Sequence, residues 1–422
     1  MGPIATFHVE RSLEDARLAP PAFEPDPVMT DLLDRLRPEA LGAPPSGIVE
    51  VMNYGRGRQG MIPLWAGEGD LPTPAVICDA AARSLAAGET FYTWQRGIPE
   101  LRAALARDCE RLYGRPFEAD RFFVTASGMQ AIQIALTALA GPGDEVIVPT
   151  PSWPNFAAAV GVRGARAVEV AMEFAADGWR LDLDRLAAAI TPATRAIFVN
   201  SPSNPTGWTA TRDELADLLA LARAHDLWIV ADEVYTRFVW DGSKRAPSFH
   251  DVAAPDDRVI FVDTFSKNWA MTGWRIGWIE APPALGALIE NLIQYSTSGV
   301  AVFVQRAAIA ALEEGDAFLA LQIARIAESR ALLCEALGRR PDVRFAPPPG
   351  AFYAFFGIEG EVDTSRLGLR LVDEALIGLA PGTAFGAAGA GFLRLCFARG
   401  PDDVREAVRR LVDWLGNRRG RG

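Results

Sequence analysis

A chain of 422 residues allows roughly two or three domains and a large apolar core. Its formal net charge of -11, with no cluster of basic residues, argues against nucleic acid or an anionic membrane as the main partner. No apolar run of about 18 residues occurs, and the N-terminus mixes Glu10, Arg11, Glu14 and Asp15, which speaks against a spanning helix or a signal peptide. Cys78, Cys109, Cys334 and Cys396 are far apart, and His8, His225 and His250 are scattered. Neither a zinc site nor a disulfide framework is indicated, as expected of a cytoplasmic protein.

In chain order, residues 1 to about 45 are rich in proline and charge and read as a surface arm, with one short helical candidate at Asp31–Leu36. Gly55-Arg56-Gly57-Arg58-Gln59-Gly60 spells the dinucleotide-binding glycine pattern, but Ile62–Trp65 after it reads as extended where that pattern requires a helix. A solvated turn is the better reading. Gly67–Pro74 is a loop leading into a helix that begins near Ala75, and Pro99–Tyr113 is a helix closed by Gly114.

Strand and helix signals then alternate. Phe122–Thr125, Glu145–Val148, Ala196–Val199, Leu227–Val230, Val259–Val262 and Arg275–Ile279 read as strands, and Gln130–Leu139 as a helix. Thr211 and Glu214 match a capping box that opens a helix running to about His225. Continuous apolar strands separated by helices predict an α/β fold with a mainly parallel sheet covered on both faces. From about residue 313 helix patterns dominate, up to a strand at Phe392–Phe397. The expected division is an N-terminal arm with part of a small domain (1–74), a large domain (75–312), and the remainder of a smaller α+β domain (313–422).

Four strand ends carry chemistry. The first is Ala126-Ser127-Gly128-Met129, whose backbone N–H groups at a helix start suit a phosphate, although Ser-Gly there is also an ordinary cap. The second is Asn200–Gly207, which in isolation is a proline-rich turn. The third is Asp232, either a helix cap or an acid that would keep a pyridine nitrogen protonated. The fourth is Ser266-Lys267-Asn268-Trp269-Ala270-Met271-Thr272-Gly273-Trp274-Arg275. Of the 42 lysines and arginines only Lys244 and Lys267 are lysines, so a lysine beside a core strand calls for a chemical reason. A desolvated lysine can attack a carbonyl, which an always-protonated arginine cannot, and Arg275 can grip a phosphate in its fork. Together they suggest pyridoxal 5'-phosphate.

On these motifs the chain, from about Pro44 to its C-terminus, resembles the class I/II aminotransferases, pyridoxal-phosphate enzymes of fold type I in the aspartate aminotransferase superfamily. The resemblance implies that Lys267 bonds the cofactor, that Asp232 pairs with its ring nitrogen, and that Asn204 and Tyr235 hydrogen-bond its ring oxygen. It further implies that Trp153 stacks on the ring and that Ser127, Gly128, Met129, Thr264 and Arg275 form the phosphate cup. Arg394 would clamp the substrate carboxylate with help from the backbone of Gly67. An arginine between Leu393 and Leu395 on an apolar strand is in any case costly unless a carboxylate or dipole satisfies it. Tyr92 would reach the phosphate of a neighbouring subunit, which implies a homodimer with shared sites.

The expected activity is ping-pong transamination between an L-amino acid and a 2-oxo acid, with 2-oxoglutarate the acceptor by family habit. Aspartate-handling bacterial relatives often carry lysine at the position of Met129 and threonine at that of Ile48. The apolar residues here point to a neutral, apolar or aromatic donor, unless an arginine such as Arg56 supplies the charge. Aspartate transamination, a lyase, decarboxylase, racemase or oxidase on the same cradle, and a non-catalytic cofactor-binding regulator stay open at this point.

Overall fold

Unbroken apolar strands can be satisfied only when both faces of a sheet are covered, and the chain builds such a sheet. The structure, a computed structural model, describes residues 33–418, so the expected arm up to residue 32 and most of the helical candidate at Asp31–Leu36 lie outside the described residues. Contacts divide the chain into two units, Met1–Ala43 and Pro44–Gly422. Of the first, the described part holds one short helix, Pro38–Leu41.

In the second unit seven strands form the central sheet: β1 (Phe122–Thr125), β2 (Glu145–Thr150), β3 (Arg166–Ala171), β4 (Thr194–Asn200), β5 (Trp228–Asp232), β6 (Val259–Thr264) and β7 (Gly277–Glu280). Their spatial order is β1-β7-β6-β5-β4-β2-β3, and only β7 runs antiparallel to its neighbours. Successive strand residues serve opposite faces. Ile197, Val199, Ile229 and Ala231 pack with Leu215, Leu218 and Leu219 of the helix Arg212–Ala224. Their neighbours Phe198, Val230 and Ile260 pack with Ile132 and Leu136 of the helix Gly128–Leu139 and with Phe156.

The expected helices at Ala75 and Pro99–Tyr113 form as read, and the capping box at Thr211 and Glu214 is made in both directions. The glycine-rich run is a turn, and Gly55 closes an unexpected helix, Gly47–Gly55, capped by the Ser46 hydroxyl. One other expectation needs correction. The strand expected at Arg275 begins at Gly277, because Arg275 adopts a left-handed conformation (φ 56°) that a strand residue does not. The region after residue 313, read as helix-dominated α+β, holds the helices Asp316–Gly338, Thr364–Ala375 and Pro401–Arg418 together with a four-stranded sheet. Its strands are β8 (Val343–Arg344), β9 (Tyr353–Ile358), β10 (Ala380–Pro381) and β11 (Phe392–Cys396), in the order β8-β9-β11-β10. No helix of the described residues is long and apolar enough to cross a membrane.

Register aligns the functional strand ends. Asn200 lies opposite Asp232 across β4 and β5, and Gly277 lies opposite both Thr264 and Thr125. Gly277 has no room for a side chain: a Cβ there would sit 2.8 Å from the Gly128 nitrogen and 2.6 Å from the Asp263 carbonyl oxygen. Its bareness lets the start of the helix Gly128–Leu139 lie against the end of β7.

Candidate active site

At the carboxyl ends of the parallel strands lies a cavity of about 380 Å3. It gathers Lys267 with Asp232, Asn204 and Tyr235, and it also gathers Gly128, Met129, Thr264 and Arg275. Gly67, Trp153 and Arg394 complete the set of expected residues on its wall. Ser127 stands just behind, where its hydroxyl caps the helix by accepting from the Gln130 amide. The amides of Gly128 and Met129 precede the first intrahelical bond, from Ala131 N to Ser127 O, and so present helix N-terminal donors. Tyr92 is apart from this cavity and 95 % exposed. Arg56 does not line it either.

Lys267 follows the end of β6 by three residues, and its Nζ donates to the Gly67 carbonyl at 2.7 Å. Its main-chain carbonyl is held by Gln322 Nε2 at 2.9 Å. Burial pulls the Lys267 amine down from 10.5 to about 8; Arg394 adds to the effect, and Cys396, Glu68 and Asp232 oppose it. Burial likewise pushes Asp232 up to about 7, against a long hydrogen bond from Val234 N (3.4 Å) and the charge of Lys267. A carboxyl so placed gains from any protonated nitrogen brought against it.

Arg394, in the middle of β11, is only 2 % exposed. Its guanidinium lies between the rings of Tyr353 and Phe385, 4.8 and 4.9 Å from their centroids. One Nη donates to Asn204 Oδ1 at 3.0 Å and the other to the Trp65 carbonyl. Its Nε is buried without a partner, and it makes no ion pair with an acid among the described residues.

These features fit pyridoxal phosphate. The buried acid Asp232 would suit a protonated ring nitrogen, the helix amides with Arg275 would suit a phosphate, and a lysine with a lowered pKa lines the same cavity. Thr264 is partly committed, since its hydroxyl donates to Ile276 O at 2.8 Å and lies 2.9 Å from the Ser266 hydroxyl. Arg275 is anchored through Thr272 O at 2.7 Å.

Sequence reasoning missed Tyr353, Asn155, Asn200, Trp65, Ile132 and Ser266 on the same wall. Ser266 and Asn200 stood inside quoted motifs and were readable by position. Asn200 Nδ2 donates to the Asp232 carbonyl at 3.0 Å, and its Oδ1 accepts from Asn204 N at 2.8 Å, tying two strand ends together. Tyr353 lies in an apolar run with no local signal.

A family model described as aminotransferase class I and II matches residues 59–411. An arginine–pyruvate transaminase of Pseudomonas aeruginosa is 36% identical over 83% of this chain and 88% of its own length. An aromatic-amino-acid aminotransferase of Thermococcus litoralis is 33% identical over 88% of this chain and 96% of its own. Among solved structures, an aspartate aminotransferase of Thermotoga maritima superimposes with a TM-score of 0.84 at 32% identity, covering 90% of this chain and 100% of its own.

The lysine's titration is testable without turnover. Protein freed of cofactor, mixed with a substoichiometric aldehyde and trapped with borohydride, is expected to label Lys267 at a rate that rises with pH through about 8 and then levels. A midpoint near 10.5 would mean that the amine is solvated as in a free lysine.

Proposed function

We propose that this chain, which belongs to the class I and II aminotransferases, moves the amino group of an L-amino acid to a 2-oxo acid with pyridoxal 5'-phosphate held against Lys267. The observation that carries this reading is Arg394: a buried guanidinium with an unpartnered Nε, on the same cavity as a lysine whose amine titrates near 8. Bound there, pyridoxal phosphate supplies an aldehyde to receive the amino group and a protonated ring to withdraw electrons from the substrate's α-carbon.

The chain's own residues do the rest. Arg394 takes the α-carboxylate in its fork and so fixes which bond at the α-carbon faces Lys267. Displaced by the incoming amine, Lys267 Nζ would take the α-proton as a general base and deliver it to the cofactor's aldehyde carbon, and burial, which lowers the pKa of this amine, favours the neutral form that the step needs. Asp232, facing a protonated nitrogen, would keep its negative charge. Trp153 would cover one face of the ring, and Asn204 and Tyr235 would hold its oxygen. The amides of Gly128 and Met129 would hold the phosphate with Arg275. The reaction then proceeds in two halves, donor first and acceptor second.

For the donor, Ile48, Met129, Ile132 and Trp65 give the wall an apolar stretch, and among the described residues its cations are Lys267, Arg275 and Arg394, each already assigned. A second carboxylate against that stretch would go unpaired, at a cost of several kcal/mol. This supports a neutral, apolar or aromatic donor over aspartate. By the family's habit the acceptor is 2-oxoglutarate; its distal carboxylate meets the same wall, so a monocarboxylate such as pyruvate is the second reading.

Phe91, Tyr92 and Trp94, 84, 95 and 62 % exposed, support a homodimer in which Tyr92 completes the neighbour's site. Sedimentation is expected to give about twice 45.6 kDa, and a monomer retaining full activity would remove Tyr92 from the scheme. In single half-reactions, phenylalanine, leucine or methionine is expected to bleach the cofactor's visible band at least tenfold faster than aspartate does. Aspartate leading that panel would overturn the donor assignment, and ammonia released without an added 2-oxo acid would favour a lyase.

A further inference from the structure

Tyr353 opens β9 of the smaller sheet, is fully buried, and reaches three parts of the cavity at once. Its hydroxyl lies 2.7 Å from that of Tyr235, with the two rings nearly perpendicular at 87°. Its ring face receives the Arg394 guanidinium at 4.8 Å. Its hydroxyl also occupies the space a side chain on Gly67 would need, and Gly67 is the residue whose carbonyl holds Lys267.

We propose that Tyr353 is a positioning residue whose hydroxyl donates to Tyr235 and thereby sets how strongly Tyr235 holds the cofactor's ring oxygen. The inference rests on the cofactor reading above. Either hydroxyl can donate in the bare pair. Once Tyr235 spends its proton on the ring oxygen, it can only accept from Tyr353. A phenol that accepts a hydrogen bond becomes a better donor, so the chain from Tyr353 through Tyr235 favours negative charge on that oxygen. The charged and titratable groups around the pair are Arg394, Cys396, Asp232 and Lys267, which touch or face one or other ring. The same side chain therefore links the group that holds the ring to the group that holds the carboxylate. Tyr353 acts through Tyr235 and Arg394 and does not itself touch reacting atoms.

Tyr353→Phe keeps the ring under Arg394 and removes the hydroxyl. The pH midpoint of the cofactor's visible band is expected to move up by about half a unit, with KM for the amino donor little changed. Tyr353→Leu, which also removes the ring, is expected to raise that KM about fivefold. In a Tyr235→Phe background, adding Tyr353→Phe is expected to shift the midpoint no further. An unchanged midpoint in Tyr353→Phe overturns the proposal, as does a shift that persists at full size without the Tyr235 hydroxyl. A fall in thermal stability with the midpoint unmoved reduces Tyr353 to packing and overturns it equally. If the wild-type protein forms no visible band at all, the cofactor reading itself has failed, which these comparisons keep separate.

Discussion

Taking an ammonium out of water favours its neutral form, and little around Lys267 reverses that preference. Its Nζ donates to one neutral carbonyl, that of Gly67, while the charge of Arg394 pushes in the same direction. Cys396, Glu68 and Asp232 oppose, and burial has drawn the affinity of Asp232 for a proton up to about 7, so it is a weakened counter-charge near neutrality. The cavity thus holds a buried guanidinium, Arg394, that makes no ion pair among the described residues, and a buried acid, Asp232, that lacks a strong hydrogen-bond donor. Both deficits are met by a ligand that brings a carboxylate to one and a protonated nitrogen to the other.

The fold brings these groups together from distant parts of the chain. Parallel strands place Asn200, Asp232 and Thr264 at one end of the central sheet, because a crossover connection returns each strand to the same direction. The antiparallel β7 then carries Arg275 at its entrance, and the bare Gly277 behind it admits the helix start that presents the Gly128 and Met129 amides. Arg394 and Tyr353 come from neighbouring strands of the smaller sheet. The long helix Asp316–Gly338 meets the lysine through Gln322, which holds its carbonyl. A change in how these layers pack would therefore move Arg394 relative to the amine.

Much of this was legible in the sequence because the signals are local. A capping box needs four consecutive residues, and Thr211 with Glu214 supplied them; a buried parallel strand needs a short apolar run, and β4, β5 and β6 each have one. A lysine in a chain otherwise charged by arginine stood out by composition alone. What stayed hidden depends on residues far apart. Tyr353 pairs with Tyr235 across 118 positions, and its run Tyr353–Ile358 has no polar alternation to mark it as a strand. β3 was missed because Arg166 and Glu169 interrupt its apolar character on an edge, where such charges are tolerated. The helix Gly47–Gly55 was hidden by the glycines at both its ends, which read as turn residues.

The two lysines differ in the property the site requires: Lys244 is exposed on a turn, whereas Lys267 lines the cavity with a lowered pKa. Borohydride reduction of the protein after incubation with pyridoxal 5'-phosphate, followed by peptide mass mapping, therefore reads the central claim directly. The pyridoxyl mass is expected on the peptide containing Lys267, near one per chain, with Lys244 unmodified at the same cofactor ratio. Label on Lys244 alone, or none on either lysine, would contradict the account.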